Sequence, residues 1–422
     1  MNNTYQSGID YARQMDAADK LASFRSKFHI PKMESGNDVV YLCGNSLGLQ
    51  PKTVKESIDQ ELLDWKNYGV EGHFHAKNPW MPYHEFLTDA MARVVGGKQS
   101  EVVVMNTLTV NLHLMMVSFY RPKGSRIKVI IESDAFPSDK YAVESQMQMH
   151  GIDPADALIE LTPREGEHCL RIEDIEEIIR KEGEQVALIM IGNTNYYTGQ
   201  YFDMKRITDL GHEHGAIVGF DCAHGAGNVD LQLHDCGVDF AVWCSYKYLN
   251  SGPGSLGGCF VHERHAKNDD LIRFKGWWGH NKETRFGMRD GFDAIVGAEG
   301  WQLSNPPILS MAAIKASLEI YDDATIANLR KKAISLTGYM EFLLHGLENQ
   351  NIEIITPSDP AQRGSQLSIY VKNADKKLFD QITAKGVMAD WREPGVIRVS
   401  AVPLYNSYHD VYRFVEILKG EL

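Results

Sequence analysis

The chain has 422 residues, 43% of them hydrophobic and 23% charged, with a formal net charge of −13. That length suits one large and one smaller domain around a packed core, and the acidic balance argues against a nucleic-acid or anionic-membrane partner. Cys43, Cys169, Cys222, Cys236, Cys244 and Cys259 stand too far apart in sequence for a zinc ribbon or a redox pair, residues 1–20 are too polar for a signal peptide, and no apolar run spans a membrane. A reduced, cytoplasmic protein is expected.

Residues up to Lys27 read as an amphipathic helix. A short strand at 39–42 runs into a glycine-rich turn, 43–49, with Pro51 and a helix to about Tyr68 after it. The turn suits an anion or a substrate carboxylate, and equally a plain loop. His73 and His75 flank Phe74 ahead of Trp80. With no third histidine or carboxylate at ligand spacing, they fit a substrate-pocket loop, and no metal site is expected. A helix follows at about 82–95, then a strand at 102–105. Thr107 and Thr109 open the next helix, placing a hydroxyl beside free backbone N–H groups; this suits a phosphate, or an ordinary cap.

Alternation begins here. Strands are predicted at 127–131, 186–191, 216–220, 239–244 and 259–261, with helices at 140–149 and 207–214 and a turn over Phe136-Pro-Ser-Asp139. This β-α-β pattern implies a mostly parallel sheet with helices on both faces. Ligands then sit at the carboxyl ends of the strands. Thr109, Asp139, Thr198, Asp221, His224 and Lys247 all fall at such ends. Trp277-Trp-Gly-His280 and Ser304-Asn-Pro-Pro307 lie in a loop-rich region. Beyond it come helices at 310–322 and 324–348, then short strands at 352–355, 366–371 and 396–401 with helices at 376–385 and 408–418. The expected division is an N-terminal segment (1–50) packing on a small α+β domain (309–422), with a large domain at 51–308. The pairs His212/His214 and His262/His265 lack the spacing of a helical zinc motif and are read as solvated.

The apolar run 240–244 leads directly to Lys247 and a loop with Gly252, Gly254, Gly257 and Gly258. A lysine here either snorkels from a strand end or, activated by burial, forms a Schiff base with a carbonyl compound such as pyridoxal 5′-phosphate (PLP). Asp221 ends the preceding strand, one crossover away. A carboxylate against the pyridine nitrogen keeps that ring an electron sink. His224 stands three residues on, Tyr246 is within reach of a phosphate, and Phe136 is a candidate to stack on the ring. Each residue separately also fits a purely structural role. Together they point to a PLP site.

At this point the chain resembles the kynureninase family, PLP enzymes of fold type I, the aspartate-aminotransferase fold. The resemblance spans nearly the whole chain and is carried by Asn106-Thr-Leu-Thr-Val-Asn-Leu-His113, Phe136-Pro-Ser-Asp139, Tyr197-Thr-Gly-Gln200, Gly219-Phe-Asp-Cys-Ala-His224, residues 243–250, Gly276-Trp-Trp-Gly-His280, Ser304-Asn-Pro-Pro-Ile308 and Ile397-Arg-Val-Ser400. It implies an α/β fold with a large, mostly parallel-sheet domain and a small α+β domain. It implies that Lys247 holds PLP, Asp221 pairs with the ring nitrogen and His224 lies beside it. Phe136 would stack on the ring, with Ser138, Asp139, Leu108, Thr109 and Tyr246 around the cofactor and its phosphate. Trp277 and Asn305 would reach the site of a partner subunit in a homodimer with shared sites. Arg398 would take the substrate α-carboxylate, and His73 and Asn305 the aromatic end. The implied reaction is hydrolysis of L-kynurenine, or its 3-hydroxy form, to anthranilate (or 3-hydroxyanthranilate) and L-alanine, in tryptophan degradation or NAD biosynthesis. Tyr246 is the candidate proton relay, with a phenol pKa expected to be lowered. Gly192 departs from the small hydroxyl residue expected in some relatives. The competing readings are a cysteine desulfurase or selenocysteine lyase, an aminotransferase, and a PLP-binding module without catalysis. The absence of any cysteine after Cys259 disfavours the desulfurase.

Overall fold

The computed structural model describes residues 5–133, 135–267, 270–288 and 290–422. Residues 1–4 of the expected N-terminal segment lie outside the described residues. The large sheet has seven strands: β1 (Val102–Met105), β2 (Lys128–Glu132), β3 (Leu158–Leu161), β4 (Val186–Gly192), β5 (Ile217–Asp221), β6 (Phe240–Cys244) and β7 (Gly257–Val261). Their order is β1-β7-β6-β5-β4-β2-β3, and only β7 runs against its neighbours. Along each strand, side chains alternate between two hydrophobic cores. Val102, Val104, Ile189 and Ile191 enter one; Val103, Met105, Leu188 and Met190 enter the other. A sheet covered on both faces needs apolar residues at every position, which is why β4 and β6 read as unbroken apolar runs.

The sequence reading assigned nothing to 150–185, yet the structure has the edge strand β3 and the helix Ile172–Glu182 there. The strand is only partly buried, so it carries no continuous apolar signal. The expected turn at 136–139 is instead the start of the helix Pro137–Met149, with Phe136 as its N-cap and Pro137 at its first position.

A second, antiparallel sheet is built from β8 (Ile352–Ile354), β9 (Gln366–Val371), β10 (Asp390–Arg392) and β11 (Val396–Ser400), in the order β10-β11-β9-β8. Its core includes Leu367, Ile369, Ile397 and Val399, with Val411 and Phe414 from the helix Tyr408–Lys419. The N-terminal helix Ile9–Ala18 packs on that last helix, and Val40–Tyr41 pairs in parallel with Val387–Met388. The helix Ile308–Ala324 packs instead on Val54–Tyr68 and Glu85–Val95, beside the large sheet. Among the described residues, no helix is long and apolar enough to cross a membrane.

Two of the histidines expected to be simply solvated are instead tied to a buried carboxylate. His212 and His265 each bond the buried Asp239 carboxylate through Nε2 at 2.8 Å, from the two sides of the strand that Asp239 precedes. Only the tertiary fold brings residues 212, 239 and 265 together.

Candidate active site

Asp221 ends β5, and Lys247 stands three residues beyond the end of the adjacent strand β6. Both therefore open into one hollow at the carboxyl edge of the sheet. Leu108 and Thr109, from the start of the helix Leu108–Phe119, line it together with Phe136, Ser138 and Asp139. His224 and Tyr246 complete the expected set. Nine of the predicted residues thus converge from four chain segments.

Two helices begin at this hollow, and neither N-cap, Thr107 or Phe136, makes a side-chain cap bond. Their first residues bring Thr109 Oγ1 within 2.8 Å of Ser138 Oγ. Hydroxyls beside helix N-termini form a phosphate-binding arrangement. Opposite them lies the charged part of the hollow. Asp221 Oδ1 accepts the Ala223 N–H at 2.6 Å. Burial pushes the Asp221 carboxyl up, while Lys247 and the Ala223 N–H oppose that rise. Asp139 is pushed well above the usual carboxylate range by its own burial, by Asp221 and by the charge of Glu132. Burial and the cations Lys247, Arg398 and Arg392 hold His224 well below the usual imidazole range, as a neutral ring. Lys247 Nζ lies 5.8 Å from the Phe136 ring centre.

Glu132, Thr194 and Tyr196 also line the hollow, and the sequence reading gave them no role. Glu132 ends β2, so the rule that singled out Asp221 also applies to it. Gly192 has a physical cause: its N–H meets both Glu132 oxygens at 3.1 Å, and a Cβ there would lie 2.7 Å from Oε1. The glycine-rich turn at 43–49 has one too. A Cβ on Gly48 would lie 2.3 Å from the Lys247 carbonyl, so the turn buttresses the lysine loop. Thr198, also at a strand end, does not reach the hollow. It bonds Asn195 and Gln200, and its carbonyl accepts from Thr356 Oγ1 at 2.5 Å.

Four expected site residues stand outside this hollow. Arg398 is neither exposed nor free: it is 2% exposed and held by Asp390 and the Tyr196 carbonyl. His73 bonds the Val70 carbonyl through Nδ1 at 2.8 Å, with its ring edge-on to Trp80. Trp277 donates to the Arg285 carbonyl, and Asn305 is exposed. The expected low Tyr246 pKa is also corrected. Burial pushes that phenol up, and Cys244 and Asp221 add to the rise. A neighbouring phosphate would act in the same direction, because a second anion disfavours phenolate.

The sequence is 58% identical to a kynureninase of Koribacter versatilis (strain Ellin345), over 96% of each chain. It is 56% identical to a kynureninase of Myxococcus xanthus (strain DK1622), over 99% of this chain and 98% of that one. The chain belongs to the kynureninase family. The family's C-terminal domain matches residues 329–418, and the DegT/DnrJ/EryC1/StrS aminotransferase family matches 82–240. The fold is that of PLP-dependent fold type I enzymes. A cysteine desulfurase of Thermococcus onnurineus NA1 superposes with a TM-score of 0.74 at 18% identity, over 93% of this chain and 98% of that one. The cysteine desulfurase CsdA of Escherichia coli superposes with a TM-score of 0.76 at 17% identity, over 95% and 98%. At such identities the likeness concerns the fold.

The cofactor of this family is PLP, and the hollow fits it on its own chemistry. An amine, a carboxylate pair and two hydroxyl-bearing helix starts face one space. Asp139 Oδ1 and His224 Nδ1 are buried there without hydrogen-bond partners, as expected of polar groups aimed at a ligand.

Two histidine–carboxylate groups elsewhere have ligand-like spacing, Glu101/His234/His262 and His84/Glu85/Glu299. In the first, Glu101 already accepts from His234, Lys98 N and Glu263 N. In the second, Lys282 bonds both glutamates.

Proposed function

We propose that the chain is a PLP-dependent hydrolase that cleaves L-kynurenine, or its 3-hydroxy form, with one water to anthranilate, or 3-hydroxyanthranilate, and L-alanine. The observation that carries this reading is the convergence of Lys247, Asp221, His224 and Phe136 on one hollow in a chain 58% identical to a kynureninase. Bound there, PLP supplies an electron sink for the charge left at the substrate α-carbon. Lys247 Nζ would hold the cofactor through its amine, and that amine would take the α-proton. Asp221 would keep a proton on the ring nitrogen, with Asp139 supporting Asp221, and the neutral His224 would brace the ring. Phe136 would cover the ring, and Trp277 and Asn305 would reach it from a partner subunit. Leu108, Thr109, Ser138 and Tyr246 would surround the phosphate. Tyr246, with its phenol pKa raised, serves as a protonated donor to the three-carbon fragment. Arg398 binds the α-carboxylate, and His73 and Asn305 the aromatic end.

Two copies sharing their sites form the working unit. Trp65, Val70 and Phe74 support this: they are 62%, 73% and 60% exposed within one short stretch of chain. We place the enzyme in the cytoplasm without nucleic-acid or membrane partners, and divide the chain at 1–50, 51–308 and 309–422, with the helix Ile308–Ala324 as the connecting element. The test is direct. Purified chain loaded with PLP should release anthranilate and alanine one for one from L-kynurenine. Sulfur release from cysteine, or a keto acid in place of alanine, would refute the reading.

A further inference from the structure

Arg398 carries five N–H groups on a planar fork. Nε and Nη2 meet the two oxygens of Asp390 at 3.2 and 2.8 Å, and Nη1 donates to the Tyr196 carbonyl at 2.6 Å. These three contacts leave one N–H on each terminal nitrogen for a further acceptor. Asp390 lies directly opposite Arg398 across β10 and β11. The two side chains are only 12% and 2% exposed, so the carboxylate compensates a cation that would otherwise be buried alone. Arg392 also stands 3.2 Å from Asp390. Two guanidiniums share one carboxylate, and one positive charge is left over. Tyr196, whose carbonyl completes the hold on Arg398, lines the hollow and meets the Phe136 ring edge-on at 5.4 Å.

We propose that Asp390 is the positioning residue of the substrate-carboxylate clamp: it fixes the guanidinium plane of Arg398 and keeps Arg392 from displacing it. This rests on the reading that Arg398 takes the α-carboxylate. Removing the Asp390 charge has two opposed effects. It raises the local positive potential, which favours any anion. It also leaves the buried Arg398 guanidinium beside the half-exposed Arg392 with no carboxylate between them, so Arg398 turns away from its companion and its orientation is lost. The second effect prevails, because two parallel bonds form only when the planar guanidinium is turned to face the carboxylate edge-on.

The experiment uses the PLP-loaded enzyme and compares binding of L-kynurenine with that of its decarboxylated amine, read from the visible absorbance of the cofactor. Asp390→Asn should lower the preference for kynurenine by about 10- to 150-fold, the range for a charge-assisted contact. The KM should rise by a similar factor while kcat falls less, and bound PLP should stay unchanged. Asp390→Glu, which keeps the carboxylate, should regain most of the preference. An unchanged or increased preference in Asp390→Asn overturns the proposal. So does loss of PLP from both variants, which would assign Asp390 to the fold. Arg398→Gln separates the two levels. If it leaves the preference intact, the reading of Arg398 fails. If it abolishes the preference while Asp390→Asn does not, only the role of Asp390 fails.

Discussion

Gly192→Ala probes how tightly the carboxylates of the hollow are held. The new Cβ would stand 2.7 Å from Glu132 Oε1, nearer than real Cβ atoms approach a neighbour. Glu132 is only 4% exposed, and its two oxygens are held by the Gly192 N–H at 3.1 Å. Relief requires the carboxylate to leave that N–H, at a cost of about 1.5–3 kcal/mol for a bond to a charged group, or the backbone to shift, at about 1–3 kcal/mol for overpacking. Assigned to PLP binding, a loss of ~1.5–3 kcal/mol weakens the affinity about 10- to 150-fold. Assigned to the fold, it lowers the apoenzyme Tm by roughly 2–5 °C. Gly192→Ser places the same Cβ but adds a hydroxyl that donates to Glu132, recovering about 0.5–1.5 kcal/mol. Titration of apoenzyme with PLP and thermal unfolding of each variant should therefore rank wild type above Ser and Ser above Ala. An Ala variant equal to wild type in both measurements would show that Glu132 has room to move, and a Ser variant below Ala would rule out the hydroxyl's bond.

Borohydride reduction of the loaded enzyme should leave PLP on Lys247; a label on a different lysine would end that assignment. Mixed dimers of Lys247→Ala and Asn305→Ala subunits should regain one working site per pair, whereas proven hybrids without activity would argue against shared sites. Arg398→Lys should keep PLP but lose about 10- to 150-fold in kcat/KM, and an unchanged kcat/KM would remove Arg398 from the site. Burial raises the Asp239 carboxyl, but bonds from His212, His265 and the Val218 N–H outweigh it and hold the group below the usual carboxylate range. A depressed folded-state pKa gives stability that is present above the unfolded value, about 3.9, and is lost as pH falls towards the folded value. The Tm deficit of Asp239→Asn should accordingly be full at neutral pH and shrink below about pH 4; a deficit independent of pH would contradict this.

The sequence by itself determined the strands of the large sheet that are buried on both faces, because such strands must be apolar at every position. It also determined which residues stand at their ends. Asp221 follows an unbroken apolar run, and Lys247 lies just beyond another, so their convergence follows from β-α-β alternation and sheet geometry alone. The edge strand β3 gave no such signal, because half-exposed positions admit polar residues. Tertiary structure alone decided which groups meet across the chain. Glu132 and Gly192 face each other because β2 and β4 are neighbours in the sheet. Asp390 meets Arg398 through the register of two antiparallel strands, and residues 212, 239 and 265 close on one buried carboxylate. The direction of the Tyr246 shift was likewise decided by burial. Periodicity along the chain encodes which face of an element is covered. It does not encode which distant residue covers that face, or how far the covering excludes water, and those two quantities set the hydrogen-bond partners and the charge states in the hollow.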